Sequence, residues 1–362
     1  MKPQFIFVVC QTGTETECKR EITSHYPQLK FSFSKPGFIT FKVPEDSIPD
    51  RFHLRSTFAR TYGWSIGNLK SDNLCYQIEK INELVIDVPD FQHLHVWQRD
   101  TRIPGSSGFE PVCSLLANEA GAAIKNELQI PNRESLVLNR HAQADQCILD
   151  VIMVEPDYCF FGFHYSGTKP QRWPGGVPQF DMTTSVISRA YFKLKEALLW
   201  SGIHIRKGDL CAEIGSSPGG ACQLLLEKEA NVLAIDPADL DPAVADHENL
   251  THHKCRGKEI KKTLLKNVNW LISDINVAPT YTLDTIEDIL TNQHIKKVKG
   301  LVLTLKLSDL GLSQNLQTWI ERIKKLGFQW VRTRQLAFNR REICLVAVRD
   351  RFTIRSSKKS NQ

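Results

Sequence analysis

Long apolar runs, paired cysteines and sequence repeats are all absent from this chain of 362 residues. No segment approaches the roughly 20 apolar residues of a membrane-spanning helix, which argues against a membrane protein. None of the ten cysteines forms a C-x-x-C pair, and the metal-like stretch "HHKC" (252–255) has no second pair of ligands nearby. We therefore expect no metal, reduced thiols and a soluble, cytoplasmic protein.

The net charge and the N-terminal residues say less about the class of protein. The net charge of +6 is a mild basic excess, which is compatible with a nucleic-acid partner but does not require one. The N-terminal "FIFVV" follows a lysine, as in a signal sequence, but it is shorter than the apolar region of about 7–15 residues in such a sequence, and acidic residues follow closely. We expect it to form a buried first strand.

The pattern of apolar residues changes near residue 170. Before it, strands such as "QFIFVVCQ", "GFITFKV" and "DYCFFGFHYS" mix with helices, which predicts an α+β region. Residues 166–181 hold three prolines and three glycines, which is typical of a linker or an ordered loop. A helix over 183–202 and six apolar strands follow, and they predict a mostly parallel, doubly wound sheet with its ligand at the carboxyl ends of the strands.

A glycine turn follows the first of these strands in "LCAEIGSSPGGACQ". The turn lacks the Lys-Ser/Thr of a phosphate loop, and its spacing does not match the G-x-G-x-x-G dinucleotide fingerprint. The strand before it carries Glu213, and the next strand ends at Asp236, where an acid commonly binds ribose hydroxyls. Two acids around a glycine turn suit S-adenosylmethionine, which has an ammonium group and a ribose. The alternative is a plain turn whose glycines serve only the backbone.

Six further stretches carry a family resemblance: "SRAYFKLKEA", "EIGSSPGG", "VLAIDPADLDP", "LISDINVAP", "LVLTLKL" and "NRREICLVAV". In this order, from about residue 185 to 348, they resemble the FtsJ/RrmJ-type ribose 2′-O-methyltransferases. The upstream half, with "FVVCQTGTETECKREI" and "CFFGFHYSGTKP", looks like the THUMP-bearing N-terminal region of a member of that family that acts on large-subunit rRNA.

The resemblance implies a domain plan. It consists of a ferredoxin-like α+β subdomain (1–60), a THUMP-like RNA-binding domain (61–168), a linker (169–184), a Rossmann-like methyltransferase domain (185–352) and a basic tail (353–362). It also implies a Lys-Asp-Lys-Glu catalytic set, which falls on Lys193, Asp274, Lys306 and Glu342. The expected S-adenosylmethionine site comprises Ser188, Glu213, Gly215, Ser217, Pro218, Gly219, Gly220, Asp236 and Asp274.

The chemistry of methyl transfer suggests roles for these residues. A ribose 2′-hydroxyl is a poor acid, so its base must be strong and unprotonated, and a neighbouring cation lowers the pKa of a lysine. We predict that Lys306 is the base and that the positive charge of Lys193 lowers its pKa. We expect Lys193 and Glu342 to position the ribose and Asp274 to hold Lys306 and the cofactor side. Other interpretations remain: Lys195 in place of Lys193, a surface lysine, or simple structural ion pairs.

The sequence departs from the family pattern at two places. No acid follows the third strand, where "LTHHKCRGKEI" is basic and rich in histidine, so the residue that contacts the adenine is left unassigned. The loop after Asp274, "DINVAP", is one residue longer than "DMAP". RNA contacts are expected from basic residues, and the candidates are Lys169, Arg172 with Trp173, Lys254, Arg256, Lys258, Lys261, Lys262, Arg332, Arg334, Arg340 and Arg341.

The preferred function is therefore S-adenosylmethionine-dependent 2′-O-methylation of RNA, with large-subunit rRNA as the expected substrate. The alternatives are an idle RNA-binding relative, methylation of another RNA such as tRNA, a nicotinamide-linked oxidoreductase, and a base-methylating enzyme. The last would usually need a cysteine nucleophile or an Asn/Asp-Pro-Pro-Tyr-like loop, and "SDINVAP" is neither.

Overall fold

The computed structural model describes residues 3–131 and 133–350. The chain divides into two compact units, Met1–Phe180 and Asp181–Gln362, each with its own sheet. The predicted basic tail at 353–362 lies outside the described residues. No helix in the described ranges is long and apolar enough to cross a membrane.

Among its described residues, the first unit has an eight-stranded, mostly antiparallel sheet and three α-helices, and the strand order is β2-β3-β1-β4-β8-β7-β5-β6. Its elements are β1 (Phe5–Val9), α1 (Glu15–His25), β2 (Lys30–Lys35), β3 (Phe38–Lys42), β4 (Thr61–Lys70), α2 (Leu74–Leu84), β5 (His93–Gln98), α3 (Leu115–Glu127), β6 (Val137–Leu138), β7 (Cys147–Glu155) and β8 (Tyr158–Tyr165). Strands of the predicted ferredoxin-like and THUMP-like regions thus share one sheet, and the bounds between those regions stay predictions.

One face of this sheet is buried by α2 and α3. Ile81 of α2, Ile124 of α3 and Phe161 of β8 belong to one apolar cluster, and each is at most 1% exposed. Burial of such a side chain stabilises the fold by about 1.5–3 kcal/mol. The alternating pattern of β8 therefore places Phe161 in this core and its neighbour Phe160 on the opposite face.

The proline-rich stretch is an ordered part of the first unit. Two short 3₁₀ turns, Pro170–Arg172 and Pro174–Gly176, flank Trp173, which is 3% exposed. Gly176 has a φ of 73°, and an added Cβ there would lie 2.8 Å from the Arg60 carbonyl oxygen. The sequence allowed either a linker or an ordered loop here, and residues 166–180 form an ordered loop. The expected RNA contact by Trp173 is wrong, because the indole is buried.

The second unit is a seven-stranded sheet in the order β11-β10-β9-β12-β13-β15-β14, with five helices among its described residues. Its elements are α4 (Ala190–Ser201), β9 (Leu210–Ile214), α5 (Gly220–Glu227), β10 (Asn231–Ile235), α6 (Pro242–Ala245), β11 (Leu250–His253), β12 (Trp270–Ser273), α7 (Pro279–Leu290), β13 (Gly300–Lys306), α8 (Leu316–Lys325), β14 (Trp330–Arg334) and β15 (Glu342–Val348). The predicted α/β, Rossmann-like doubly wound fold is confirmed.

Strand order reverses between β9 and β12. The chain runs from β9 through β10 to β11 on one side, and then returns to β12 on the other side of β9. The carboxyl ends of β9 and β12 therefore flank the switch point at which this class of sheet binds ligands. β15 runs antiparallel to β13, so its first residue lies at the same edge of the sheet as the last residue of β13.

The predicted helix over 183–202 begins only at Ala190. Its first residues form a local turn instead, in which Asp181 accepts hydrogen bonds from both the amide and the hydroxyl of Thr183. Farther along, the amide of Ile187 donates to the side chain of Gln223 at 3.0 Å. These bonds compete with the i→i−4 pattern, and the helix starts where they end.

Candidate active site

Four charged side chains form a closed ring at the switch edge of the second unit. Lys306 Nζ lies 2.6 Å from both Asp274 Oδ1 and Glu342 Oε2. Lys193 Nζ lies 2.6 Å from Glu342 Oε1 and 3.2 Å from Asp274 Oδ2. Each lysine therefore bridges both carboxylates, and the ring has two positive and two negative charges. The four residues that the sequence singled out lie together.

The sheet brings the ring together from four separate segments. Asp274 directly follows β12, and its amide donates to the Ile214 carbonyl at the end of β9. Lys306 ends β13 and is paired in register with Glu342, which begins β15. Lys193 projects from α4, whereas Lys195 lies with its Nζ 5.1 Å from the ring centre of Tyr191. The structure therefore places Lys193, and not Lys195, in the ring.

Burial and charge act against each other in this ring. Burial acts to raise the pKa of Asp274, but the adjacent Lys193 and Lys306 outweigh it and hold that pKa below its ordinary value. Burial likewise acts to lower the pKa of Lys306, but Asp274 and Glu342 outweigh it and raise that pKa. The predicted lowering of the Lys306 pKa is wrong for these four side chains, because Asp274 and Glu342, each 2.6 Å from Lys306 Nζ, raise that pKa.

The glycine turn between β9 and α5 is shaped by close backbone contacts. Gly215 and Gly219 have φ values of 83° and 119°, and the Ser217–Pro218 peptide bond is cis. A Cβ added at Gly215 would lie 3.1 Å from the Asp274 backbone, and one at Gly219 would lie 2.6 Å from Val244 Cγ2. Gly220 faces Ser188 just as closely. The turn therefore has no room for a side chain at these three positions.

Glu213 is a buried carboxyl beside this turn. It is 1% exposed and accepts a hydrogen bond from the Cys222 thiol at 2.9 Å. Burial raises the pKa of Glu213 to about 8, and the negative charges of Asp274 and Asp236 add to the rise. No cation within residues 3–131 and 133–350 forms an ion pair with it. Glu213 is thus a site that a positively charged ligand group would complete.

Asp236 stands on the other side of the turn, after β10. Its carboxylate accepts hydrogen bonds from the amides of Ser217, at 3.2 Å, and Ala238, at 2.8 Å. The Ser217 hydroxyl donates to the Asp239 carbonyl, which fixes the turn against the loop after β10. Asp236 therefore lies where the sequence predicted an acid, and its position is held by the backbone.

A cavity of about 770 Å³ connects the ring to the turn. Gly215, Ser217 and Ser188 line one part of it, and Arg340 and Arg341 line another. The inserted loop after Asp274 also contributes to the wall through residues 276–278. The cavity wall thus combines part of the glycine turn, the four charged side chains of the ring and two arginines.

The family model for FtsJ-like methyltransferases matches residues 186–332. This range contains the glycine turn and three of the four ring residues. The match therefore lies wholly within the second unit. The match and the fold confirm the family prediction, and the second unit is a methyltransferase unit.

Curated relatives extend the similarity beyond the methyltransferase unit. The "Ribosomal RNA large subunit methyltransferase M" of Yersinia pestis (strain Pestoides F) is 23% identical over 385 aligned positions, which cover 93% of this chain and 94% of the relative. The protein of the same name from Yersinia pseudotuberculosis serotype O:1b (strain IP 31758) has the same values. A solved structure of a possible methylase from Clostridium difficile 630 is 10% identical and covers 96% of this chain and 98% of that chain, with a TM-score of 0.37, which is too low to support a conclusion.

Sequence reasoning missed one buried carboxylate of the methyltransferase unit. Glu196, fully buried and one helical turn after Lys193, accepts hydrogen bonds from the amides of Ala337 at 2.8 Å and Phe338 at 3.1 Å. The ring of Phe338 also stacks on Phe192 at 5.3 Å. This loop leads directly into Glu342, so Glu196 joins the helix that carries one ring lysine to the strand that carries a ring carboxylate. The sequence contained one signal for this residue: Glu196 follows Lys193 by three positions, so the two side chains lie on the same face of the helix.

The predicted basic clusters separate in the structure. Arg340 and Arg341 are exposed and line the cavity, whereas Arg334 is 7% exposed. In the histidine-rich segment, Lys254 pairs with Asp239 and Lys262 pairs with Asp288. The arginines before Glu342 are therefore better placed for a ligand in the cavity than the lysine run.

Proposed function

We propose that this protein is an S-adenosylmethionine-dependent methyltransferase that modifies a ribose 2′-hydroxyl of large-subunit rRNA, with Lys306 as the general base. One observation carries the proposal: the closed ring of two lysines and two carboxylates lies at the switch edge of the sheet, in one cavity with the glycine turn. The name of the Yersinia relatives, a large-subunit rRNA methyltransferase, supports the choice of substrate.

The residues around the turn fit S-adenosylmethionine. Glu213 offers a buried carboxyl without a cation to the ammonium group, and Asp236 offers acceptors to the ribose hydroxyls. The turn allows a ligand to approach the backbone at Gly215, where a Cβ would crowd the chain. The buried Ser216 hydroxyl has no hydrogen-bond partner among the described residues. When bound, the cofactor supplies a methyl group that is already activated by its positive sulfur.

The protein must then align the ribose and accept one proton. A bound cofactor would supply the methyl group to the 2′-oxygen, and Lys306 Nζ would accept the hydroxyl proton. Glu342 and Asp274 each hold that nitrogen at 2.6 Å, so its lone pair is directed by two fixed acceptors. Lys193 contacts both carboxylates, balances one of their two negative charges and helps to place the ribose.

The raised pKa of Lys306 has a consequence for the rate. At neutral pH most of this amine is protonated, and only the neutral minority can act as a base. We therefore expect kcat to rise with pH across the range from 7 to 9, by up to about ten-fold per unit. A pH-independent kcat over this range would contradict a lysine base.

The first unit is proposed as the part that recognises RNA, with the ferredoxin-like (1–60) and THUMP-like (61–168) regions as its subdivisions. Arg340 and Arg341, which line the cavity, would contact phosphates beside the target nucleotide. Because phosphate contacts release counterions, RNA affinity should fall steeply with salt.

The test uses the full chain, unmodified large-subunit rRNA and S-adenosylmethionine labelled in its methyl group. Wild-type protein is compared with Lys306→Ala and with the matched control Lys195→Ala, which changes a lysine outside the ring. We expect one alkali-resistant, 2′-O-methylated nucleotide with wild-type and control. We expect its rate of formation to fall by at least about 10²-fold in Lys306→Ala with cofactor affinity kept.

Three results would change the assignment. Methyl transfer to a base would replace the ribose as target, and transfer to tRNA but not to rRNA would replace the substrate. RNA binding without any transfer would leave an idle relative.

A further inference from the structure

The sheet of the first unit curls into a trough on the face opposite α2 and α3. The rings of Phe38 on β3 and Phe160 on β8 are 4.8 Å apart, although β1 and β4 lie between those strands. Two glycines make the bend possible: a Cβ at Gly63 or at Gly162 would lie 2.8 or 2.7 Å from the Phe7 ring. Phe7 and Phe38 are fully buried inside the bend, whereas Phe160 also lines the groove described next.

An open groove of about 510 Å³ borders this face, and Leu84 at the end of α2 also lines it. Three rings line it: Phe33 lies 6.0 Å from Tyr158 and 5.5 Å from Phe160, centre to centre. Phe33 and Tyr158 are both partly exposed, so parts of their faces remain open to a ligand. The polar side chains that line the groove are Gln4, Ser32, Thr40, Ser65, Asn68 and Asp87.

Two lysines lie beside the groove in an arrangement that favours an anion. Lys30 of β2 and Lys42 of β3 are direct cross-strand partners, and Lys42 is in turn paired with Phe5, which lines the groove. Directly opposed side chains share one face of a sheet, and like charges in that position repel each other. Both lysines are exposed, and neither forms an ion pair within the described part of the chain. A bound phosphate would relieve the repulsion.

We propose that this groove of the first unit binds an unpaired nucleotide of the RNA substrate, through residues other than those that carry methyl transfer. Open aromatic faces are the usual platform for unstacked bases, and hydroxyl and amide groups are the usual partners of base edges. The lysine pair supplies the phosphate contact next to the same platform. The proposal rests on the proposed function only in taking RNA as the ligand.

The experiment measures binding of a short, unstructured oligoribonucleotide to the full chain at several salt concentrations. The variants are Tyr158→Ala, Tyr158→Phe and the double variant Lys30→Gln/Lys42→Gln. The matched control is Lys80→Gln/Lys125→Gln, which removes two lysines from α2 and α3, the helices that cover the other face. A 4-thiouridine in the oligonucleotide also allows the contacted peptide to be identified after irradiation.

We expect Tyr158→Ala to weaken binding by about ten-fold or more, because one base–aromatic stack is lost, and Tyr158→Phe to bind nearly as wild type. The Lys30→Gln/Lys42→Gln variant should bind several-fold more weakly, and its slope of log affinity against log salt should be smaller by about 1 to 2. The control variant should show neither change. Crosslinks should fall on β2 or on the segment that contains Tyr158.

Unchanged affinity in the lysine double variant, or crosslinks only outside the groove, would overturn the proposal even if Tyr158→Ala proved poorly folded. If wild type methylates rRNA and the groove variants bind RNA equally well, the groove proposal is wrong and the proposed function stands. If RNA binding depends on the groove but no RNA is methylated, the groove proposal stands and the proposed function is wrong. In methylation assays the groove lysine variant should raise KM for RNA and leave kcat unchanged.

Discussion

At the scale of single residues, each charged group of the ring contacts two groups of opposite charge. A buried ion pair that loses one partner leaves an uncompensated charge, which is far more costly than the pair itself is stabilising. In the ring, Asp274 and Glu342 would each still contact Lys193 after removal of Lys306. Substitution of Lys306 should therefore affect catalysis more than folding.

Glu213 predicts a specific dependence of stability on pH. Its pKa is raised from an ordinary value of 4.5 to about 8 in the folded protein. Between these values the folded protein holds a proton that the unfolded chain has released. The free energy of unfolding should therefore fall as pH rises through this window, by up to about 1.4 kcal/mol per unit. Glu213→Gln lacks this contribution, and its stability should fall less steeply.

Urea unfolding at several pH values between 5 and 8 measures the difference between the two proteins. The control is Glu227→Gln, which changes an exposed glutamate in α5 of the same unit. Parallel pH curves for wild type and Glu213→Gln would show that Glu213 is ionised in the folded protein.

At the scale of elements, the turn between β9 and α5 predicts that one glycine tolerates no side chain. Gly219→Ala would place a Cβ 2.6 Å from Val244 Cγ2 at a φ of 119°. Gly208→Ala is a matched control, because Gly208 also has a positive φ, of 78°, but has no atom within 4 Å of the added Cβ. We expect a loss of about 1 kcal/mol for the control and clearly more for Gly219→Ala.

The same pair of variants separates strain from ligand binding. Calorimetric titration with S-adenosylmethionine should show a weakened affinity in Gly219→Ala and an unchanged one in Gly208→Ala. Equal affinities would mean that the cofactor does not approach this turn.

The link between α4 and β15 predicts the effect of Glu196→Gln. A glutamine keeps the shape but has one acceptor oxygen for the two amides that Glu196 now binds. The free energy of unfolding should fall by about 1–3 kcal/mol. Because the loop leads to Glu342, kcat should also fall at temperatures well below unfolding, whereas cofactor affinity should stay the same. Glu227→Gln serves again as control, and a kcat equal to wild type would make Glu196 purely structural.

At the scale of the whole molecule, the division at 180/181 predicts a division of labour. All the candidate cofactor and ring residues lie between 188 and 342, inside the second unit. Residues 181–362 alone should therefore bind S-adenosylmethionine with the affinity of the full chain. Methylation of rRNA should be strongly reduced, because the first unit is proposed to recognise the RNA. Full activity of the second unit alone would show that the first unit is dispensable for the substrate.

Much of the second unit could be predicted from local sequence. Continuous apolar strands such as "NVLAI" and "GLVLTLK" alternate with helices, and this local pattern is sufficient to indicate a doubly wound sheet. The glycine turn and the acids after the strands were recognisable for the same reason. β11 was missed because "LTHH" has one apolar residue in four, and its pairing with β10 makes it a strand. In the first half, β4 and α2 were not assigned.

The four ring residues were found by family resemblance, and the sequence alone determined which segments carry them. Only the tertiary structure decided how they pair, because the distances depend on strand order and on the antiparallel direction of β15. The choice of Lys193 over Lys195, the burial of Trp173 and the raised pKa of Lys306 were decided in the same way. Each depends on neighbours that are remote in sequence, and a local pattern contains no information about which remote groups the fold brings within a few ångströms.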